Sequence, residues 1–242
     1  MSSSELDNIA GSYDPSSPEK DFDYWFIRLN MESMESHLIG RSVCELGCST
    51  GLSTRLLSSL AKELTVVEGS RDNIARAETQ ALKNVRFVHS FWESFETRPS
   101  FSDVVAMRVL EHIEDPVSLL QKIKQWLLPG GRIHLVVPNA RSLHRRVGLQ
   151  MGLLNDLHEL NARDRRVGHK RVYDREILFD HLRQAGCRVR HWEGIFLKPL
   201  SNDQLKSWPE NLVRAFSAVG KELPDWSAEL YVCVESDSDI PQ

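Results

Sequence analysis

The stretch VCELGCSTGLST, from Val43 to Thr54, is the part of this 242-residue chain that most constrains its fold. An apolar run is followed by two glycines, Gly47 and Gly51, and then by the amphipathic run LSTRLLSSLA. Glycine at such a turn lets the backbone adopt left-handed angles and approach a ligand with no side chain between them. The stretch therefore predicts a strand, a tight turn and a helix that together hold a nucleotide.

The alternation of short apolar strands with amphipathic helices continues along the chain. Five strands are predicted, in order, at SVCEL, LTVV, VRFV, DVVAM and RIHLVVP, with helices between them. Ser70 and Asp115 are predicted helix N-caps, and Pro116 is predicted to be a first helical residue. This alternation is typical of a parallel sheet with helices on both faces.

After Asn139 a basic, helix-prone segment interrupts the alternation, and a further helix, DREILFDHLRQAG, follows with Asp174 as its predicted cap. Two strands, CRVRHWEGIF and AELYVCVE, end the pattern, separated by a stretch long enough for a second helical insertion. We expect an α/β fold: a Rossmann-like, doubly wound, mostly parallel seven-stranded sheet with helical cap insertions. The predicted boundaries are 1–38 for an N-terminal tail and lid helix, 39–138 for the cofactor-binding core, 139–172 for the helical substrate-cap insertion, and 173–242 for the last helix and strands, with a second insertion at about 198–226.

Composition narrows the class of protein. With 41% apolar residues and a net charge of -4, the chain is typical of globular proteins and has no general attraction to nucleic acid. No secretory signal pattern begins the chain, and no apolar run approaches the roughly 20 residues that span a bilayer. The four cysteines include no CxxC pair. We expect a cytoplasmic protein with reduced, buried thiols, polar tails, no metal site and no membrane or nucleic-acid partner.

The spacing of the glycine turn distinguishes between kinds of nucleotide. Dinucleotide sites have G-x-G-x-x-G, whereas here Glu45 precedes Gly47 by two residues and Gly51 follows it by four. This E-x-G-x-x-x-G pattern resembles the class I S-adenosylmethionine-dependent methyltransferases. Glu68 in VVEGS, the stretch MRVLEHIEDP and the stretch LLPGG match the same family. Over about residues 40–138 the likeness is to the ubiquinone-biosynthesis O-methyltransferase group, from which Ser49 departs because that group usually has glycine there.

The resemblance implies that S-adenosylmethionine binds at the carboxyl ends of the strands. Glu68 would accept hydrogen bonds from both ribose hydroxyls, and Gly47 would leave room for the methionine portion. The adenine loop corresponds to HSFWESF, where Glu93 replaces the usual acid or the backbone of Phe91 and Trp92 donates; core packing of these rings is the alternative. The candidate cofactor-binding residues are Tyr24, Arg28, Glu45, Gly47, Cys48, Ser49, Gly51, Glu68, Gly69, Ser70, Phe91, Trp92, Glu93, Arg108 and Val109.

The segment DFDYWFIRLN, just before the sheet, is predicted to be a helix. Tyr24 and Arg28 lie four residues apart and therefore share one helical face. In the family, helices at this position close over the cofactor, with an aromatic residue or an arginine reaching the methionine carboxylate. An ordinary packing helix would account for the aromatic residues equally well.

Methyl transfer is an in-line displacement, so the protein must align the acceptor and exclude water. A hydroxyl acceptor must also lose its proton, and histidine is the side chain most often placed for that at neutral pH. His112, in VLEHIED, follows the fourth strand, where the resemblance places a Glu-His pair beside the cleft. His169, in VGHKRVYD, ends the first insertion, where a solvated loop histidine is the alternative. These two histidines are the candidate catalytic residues.

The first insertion carries a local charge of +5 in a chain of net charge -4. Its basic residues are Arg141, Arg145, Arg146, Arg163, Arg165, Arg166, Lys170 and Arg171, against Asp156, Glu159 and Asp164. Basic residues beside the cleft favour an acidic small-molecule acceptor, although a solvated helix face explains them too. The candidate acceptor-binding residues are Asn139, Arg145, Arg171 and Tyr173.

The predicted acceptor is a hydroxyl or carboxylate oxygen of an acidic metabolite or sugar. Two alternatives remain open from the sequence. An RNA-modifying methyltransferase would use the same cofactor body, and the basic insertion favours it, whereas the overall negative charge does not. A non-catalytic cofactor-binding module is the other alternative.

Overall fold

The chain forms a single mixed sheet in a computed structural model that describes residues 6–7 and 14–236; the rest of the two predicted tails lies outside the described residues. The strands are β1 (Ser42–Leu46), β2 (Glu63–Glu68), β3 (Val85–His89), β4 (Phe101–Met107), β5 (Leu127–Pro138), β6 (Cys187–Ile195) and β7 (Glu229–Ser236). Their order is β3-β2-β1-β4-β5-β7-β6, and only β7 runs antiparallel to its neighbours. This confirms the predicted fold class, and all five strands predicted before Asn139 are present.

Helices cover the sheet and form the two insertions. They are α1 (Asp23–Glu35), α2 (Leu52–Leu60), α3 (Arg71–Glu78), α4 (Pro116–Trp126), α5 (Leu143–Gln150), α6 (Ala162–Arg166), α7 (Arg175–Gln184), α8 (Asn202–Leu205) and α9 (Glu210–Glu222), with 3-10 turns at Leu110–His112 and Pro224–Trp226. The predicted caps are confirmed, because Ser70, Asp115 and Asp174 each accept a hydrogen bond from a backbone N–H three residues on. Pro116 is the first residue of α4, as predicted.

The sheet has an apolar core on each face. Cys44 and Leu46 of β1 pack on the side that holds Trp126, whereas Val43 packs on the side that holds Phe26 of α1. Burial on both faces explains why these strands read as continuous apolar runs. The four cysteines are buried free thiols, as predicted. Within 6–7 and 14–236, no helix has the length and apolar composition needed to cross a membrane.

Two insertions and one flanking helix place residues beside the carboxyl ends of the parallel strands. The first insertion, with α5 and α6, leaves the sheet after β5, and the second, with α8 and α9, joins β6 to β7. Helix α1 packs against α2, β6 and β7 and buries Phe22, Trp25 and Phe26. The aromatic residues of the predicted lid helix therefore form core, which was the alternative explanation for them.

Candidate functional site

The turn between β1 and α2 has backbone angles that require glycine. Gly47 and Gly51 have φ values of 81° and 83°, and Ser49 between them is also left-handed at 49°. A Cβ added at Gly47 would lie 3.1 Å from the Trp92 ring, and one at Gly51 would lie 2.9 Å from Ala77. The positive φ of Ser49 explains why glycine is usual there in the group that the sequence resembles.

Glu68 ends β2 directly beside this turn and is almost fully buried. Its Oε2 accepts a hydrogen bond from the Cys48 N–H at 2.9 Å, and its Oε1 accepts one from the Ser70 N–H at 2.8 Å. The Cys48 thiol is a third, weak donor to Oε2, with Sγ at 3.6 Å, and a carboxylate has about four lone-pair positions, so at least one remains for a hydroxyl donor. The carboxylate beside the glycine turn thus fits a ribose hydroxyl.

Glu45 lies beneath the turn and braces the first turn of α2. Ser53 Oγ and Thr54 Oγ1 donate hydrogen bonds to its two carboxylate oxygens at 2.5 and 2.6 Å. Burial raises the pKa of Glu45 to about 7, against the lowering effect of the two hydroxyls, and the nearby Glu68 charge adds to the rise. Because both carboxylate oxygens of Glu45 already accept hydrogen bonds from Ser53 and Thr54, its expected contact with the cofactor stays a prediction.

The loop after β3 closes the other side of the turn. Trp92 Nε1 donates a hydrogen bond to the Val67 carbonyl at 3.1 Å, which holds the indole across Gly47. Phe91 is exposed and lies over Gly69. Glu93 is also exposed, and only its backbone carbonyl has a protein partner, the Lys122 ammonium. Phe91 and Trp92 are therefore better placed than Glu93 for the role that the sequence assigned to this loop.

Two residues from the predicted N-terminal tail lie at the same edge. Leu6 contacts Gly69, and Asp7 Oδ1 accepts a hydrogen bond from Ser70 Oγ at 2.5 Å. The sequence gave no signal for this contact, because short polar segments carry no periodicity. The tail thus includes residues of the candidate cofactor edge.

The pair proposed on α1 is formed as predicted. Arg28 Nη1 donates a hydrogen bond to the Tyr24 hydroxyl at 3.1 Å. Arg28 Nε is buried and has no hydrogen-bond partner among the described residues. A buried guanidinium with a spare N–H fits a carboxylate such as that of methionine.

An ion cluster joins α1, both insertions and the sheet at the end of β4. Arg108, with φ 56°, pairs with Asp23 of α1 at 2.7 Å and with Glu229 of β7 at 2.5 Å. Arg163 of α6 lies 3.0 Å from the same Asp23. Burial opposes ionisation of Asp23, but the two guanidinium groups outweigh it and hold the pKa of this carboxyl below its usual range. Arg108 is thus committed to ion pairs, and Val109 beside it is buried, so their predicted cofactor contacts stay predictions.

The two candidate catalytic histidines lie together. The rings of His112 and His169 are edge to face, with centroids 4.8 Å apart, although the residues come from the 3-10 turn after β4 and the loop after α6. Glu111 adjoins them, and one possible ligand atom from each of the three residues lies within 4.8 Å of the others. Burial lowers the pKa of His112 to about 3 and raises that of Glu111 to about 7. The cluster combines a neutral imidazole with a carboxyl group that resists ionisation.

The four candidate acceptor-binding residues instead make contacts within the protein. Asn139 and Arg171 donate to backbone carbonyls, and Arg145 donates to two carbonyls and to Asp164. The hydroxyl of Tyr173 is paired with His181 at 3.2 Å. These contacts engage the polar groups inside the protein and do not gather them around one cleft, so their acceptor contacts stay predictions.

Comparisons with known proteins agree with this geometry. A family model described as a methyltransferase domain matches residues 23–191. The ubiquinone biosynthesis O-methyltransferase of Xanthomonas oryzae pv. oryzae (strain PXO99A) is 27% identical over 146 residues, which is 56% of this chain and 61% of that protein. The chain therefore aligns with less than two thirds of that relative's length.

Solved structures show the same fold at low identity. An S-adenosylmethionine-dependent methyltransferase from Mesorhizobium loti has a TM-score of 0.59 and 16% identity, covering 85% of this chain and 97% of that one. The N-methyltransferase NodS from Bradyrhizobium japonicum WM9, in complex with S-adenosyl-L-homocysteine, has a TM-score of 0.55 and 17% identity, covering 86% of this chain and 84% of that one.

Proposed function

Because this chain belongs to the methyltransferase-domain family, we propose that it transfers a methyl group from S-adenosylmethionine to a small-molecule acceptor. The acceptor atom is a hydroxyl or carboxylate oxygen of an acidic metabolite or sugar. The observation that carries the proposal is the Glu68 carboxylate, held by two backbone N–H groups beside the left-handed glycine turn. The family, the fold and this geometry support one and the same cofactor.

The residues of this chain divide the work of binding. Glu68 accepts the ribose hydroxyls, Trp92 and Phe91 border the nucleoside, and the free N–H of Arg28 binds the methionine carboxylate. When bound, the cofactor would supply a methyl group activated by its sulfonium: the acceptor oxygen would bond to the methyl carbon as the carbon–sulfur bond breaks, and S-adenosyl-L-homocysteine would leave. The protein aligns the two reactants and keeps water out, and alignment alone is worth a large part of such a barrier.

The acceptor oxygen lies against the cluster of Glu111, His112 and His169 in this proposal. The cluster stands at the end of β4, the edge of an open α/β sheet where ligands bind. The acceptor proton leaves through this cluster, the role that the sequence assigned to the two histidines. In this proposal the catalytic side chains come from two segments, the 3-10 turn after β4 and the loop after α6.

A small-molecule acceptor is favoured over RNA by the way the basic insertion is used. Arg141 pairs with Asp174, Arg163 with Asp23, and Arg145 is buried on Asp164. Guanidinium groups already neutralised in this way attract a phosphate backbone less. We also propose that the enzyme is cytoplasmic and has no nucleic-acid or membrane partner. Salt-sensitive retention of RNA by the protein would contradict the small-molecule acceptor.

Calorimetry with S-adenosylmethionine and S-adenosyl-L-homocysteine tests the cofactor directly. We expect both to bind the wild-type protein, Glu68→Ala to bind more weakly, and Glu63→Ala, an exposed change on the same strand, to match the wild type. The absence of binding at millimolar ligand would refute the proposal. Incubation of acceptor pools with labelled cofactor, followed by mass spectrometry of the products, then identifies the acceptor and the methylated atom.

A further inference from the structure

Glu111 is a fully buried carboxyl group without a hydrogen-bond partner for either oxygen among the described residues. Burying a carboxylate without a compensating partner is costly, so such groups are protonated, paired or bound to a metal. The guanidinium of Arg108 is engaged by Asp23 and Glu229. The site therefore presents two unused carboxylate oxygens in an interior position.

Two imidazoles lie beside this carboxyl group. His112 has a hydrogen bond with the backbone of Gly168, whereas Nδ1 of His169 lies 3.3 Å from Asp164 Oδ1 and has no hydrogen-bond partner of good geometry among the described residues. Carbonyl and carboxylate partners of this kind set the tautomer and direction of histidines that bind metals, leaving the second ring nitrogen for the ion. The possible ligand atoms of Glu111, His112 and His169 lie within 4.8 Å of one another.

Backbone contacts fix the two segments that carry these side chains. The Lys170 N–H donates a hydrogen bond to the Glu111 carbonyl at 2.7 Å, and the His169 N–H donates one to the Asp164 carbonyl at 2.9 Å. Asn161 and Asp164 form a capping box at the start of α6. The loop that carries His169 is thus tied both to its own helix and to the turn that carries Glu111.

We propose that Glu111, His112 and His169 form an open site for one divalent transition metal ion, with two imidazole ligands and one carboxylate ligand. This ligand set suits zinc, iron(II), cobalt(II) or manganese(II), and three protein ligands leave positions for other oxygens. The sequence had predicted no metal, because the expected spacing of Cys and His ligands is absent.

The role of this metal site in catalysis depends on the proposed methyltransferase function, to which it adds a binding position for the acceptor. An acceptor hydroxyl or carboxylate oxygen would occupy an open metal position, which would orient it and, for a hydroxyl, lower its pKa. His112 and His169 would then hold the ion and would not act as bases themselves, and the hydroxyl proton would leave through the same cluster, to a water molecule bound at another open position of the ion. This oxygen would be the atom that attacks the methyl group.

The test is metal binding to the full chain after chelator treatment and dialysis. Zn²⁺, Mn²⁺ and Co²⁺ are titrated separately by calorimetry, and Co²⁺ is also followed by its visible absorption. We expect one equivalent to bind the wild-type protein for at least one ion, Glu111→Gln and His169→Ala to bind at least about 10-fold more weakly, and Glu114→Gln and His158→Ala to bind normally. The two controls change an exposed carboxylate and a cap histidine outside the cluster.

Each outcome decides the proposal. Failure of all three ions to bind the wild-type protein stoichiometrically, or equal binding by Glu111→Gln and Glu114→Gln, would overturn the site. Absence of metal binding together with a lower melting temperature for Glu111→Gln would overturn the site and assign the cluster to an internal acid-histidine pair. Cofactor calorimetry without metal is run in parallel, so loss of cofactor binding with intact metal binding would refute the proposed function and leave the metal site standing.

Discussion

Glu45 beneath the glycine turn gives a sharp prediction for stability against pH. The change is Glu45→Gln, which keeps the shape of the side chain and removes its titration. In the wild-type protein, burial raises the pKa of Glu45 from 4.5 to about 7. The hydroxyls of Ser53 and Thr54 both donate to the carboxylate, so the amide is expected to be about 1 kcal/mol less stable than wild type at the acidic end of the pH range because one donor must be rearranged.

The direction of the change in stability with pH follows from which state, folded or unfolded, holds the Glu45 proton. Between pH 4.5 and 7 the folded protein keeps the Glu45 proton and the unfolded chain releases it. Rising pH therefore favours unfolding, and the contribution of this group is fully present below pH 4.5 and lost as the pH rises through 7. At about 1.4 kcal/mol per pKa unit, the loss is on the order of 3 kcal/mol by pH 8.

Urea unfolding of the wild type, Glu45→Gln and the exposed control Glu63→Gln at pH 4.5, 6, 7 and 8 measures this. The free energy of unfolding of Glu45→Gln should rise relative to wild type by about 3 kcal/mol across that series, while the control follows the wild type. A difference between Glu45→Gln and wild type that stays constant with pH would show that Glu45 titrates alike in both states, and would refute the reasoning.

Three further changes test the turn, the cofactor and the ion cluster. Gly51→Ala should lower the free energy of unfolding by more than Gly152→Ala, since both have positive φ but only Gly51 would clash; the left-handed cost alone is about 1 to 2 kcal/mol, measured by urea unfolding. Glu68→Ala should weaken S-adenosylmethionine binding by about 1.5 to 3 kcal/mol in calorimetry, and unchanged affinity would contradict the ribose role. Asp23→Asn should destabilise the protein by about 1.5 to 3 kcal/mol in urea unfolding, because Arg108 and Arg163 lose a charged partner, although Arg108 keeps Glu229. A loss below about 0.5 kcal/mol would contradict this role of the carboxylate.

The parts of the fold that depend on local pattern were predictable from the sequence. Ser70, Asp115 and Asp174 cap helices through bonds to residues three positions away, so short motifs suffice to place them. Glu68 was predictable as the acid at the tip of β2 because strand ends in a parallel sheet meet at one edge. The pairing of Tyr24 with Arg28 followed from helical spacing alone.

The parts that depend on distant residues were not predictable. Asp23, Arg108 and Glu229 meet only after the sheet, α1 and β7 have packed, and each alone resembles an ordinary surface charge in the sequence. The sequence suggested His112 and His169 separately, and neither their contact nor the unpaired state of Glu111 has a local signature. Arg145 and Tyr173 were assigned to an acceptor by their position, whereas the structure shows that the cap needs their polar groups for its own contacts.

The ion cluster around Asp23 also limits how such a protein can be redesigned. Asp23, Arg108 and Arg163 come from a flanking helix, a strand end and the cap, and the partly exposed guanidinium groups of the two arginines balance the buried Asp23 carboxylate. A cap transplanted from another protein to change the acceptor would remove Arg163 and leave that balance altered in the interior. Chimeras that exchange α1 and the first insertion together should therefore fold more often than chimeras that exchange either segment alone.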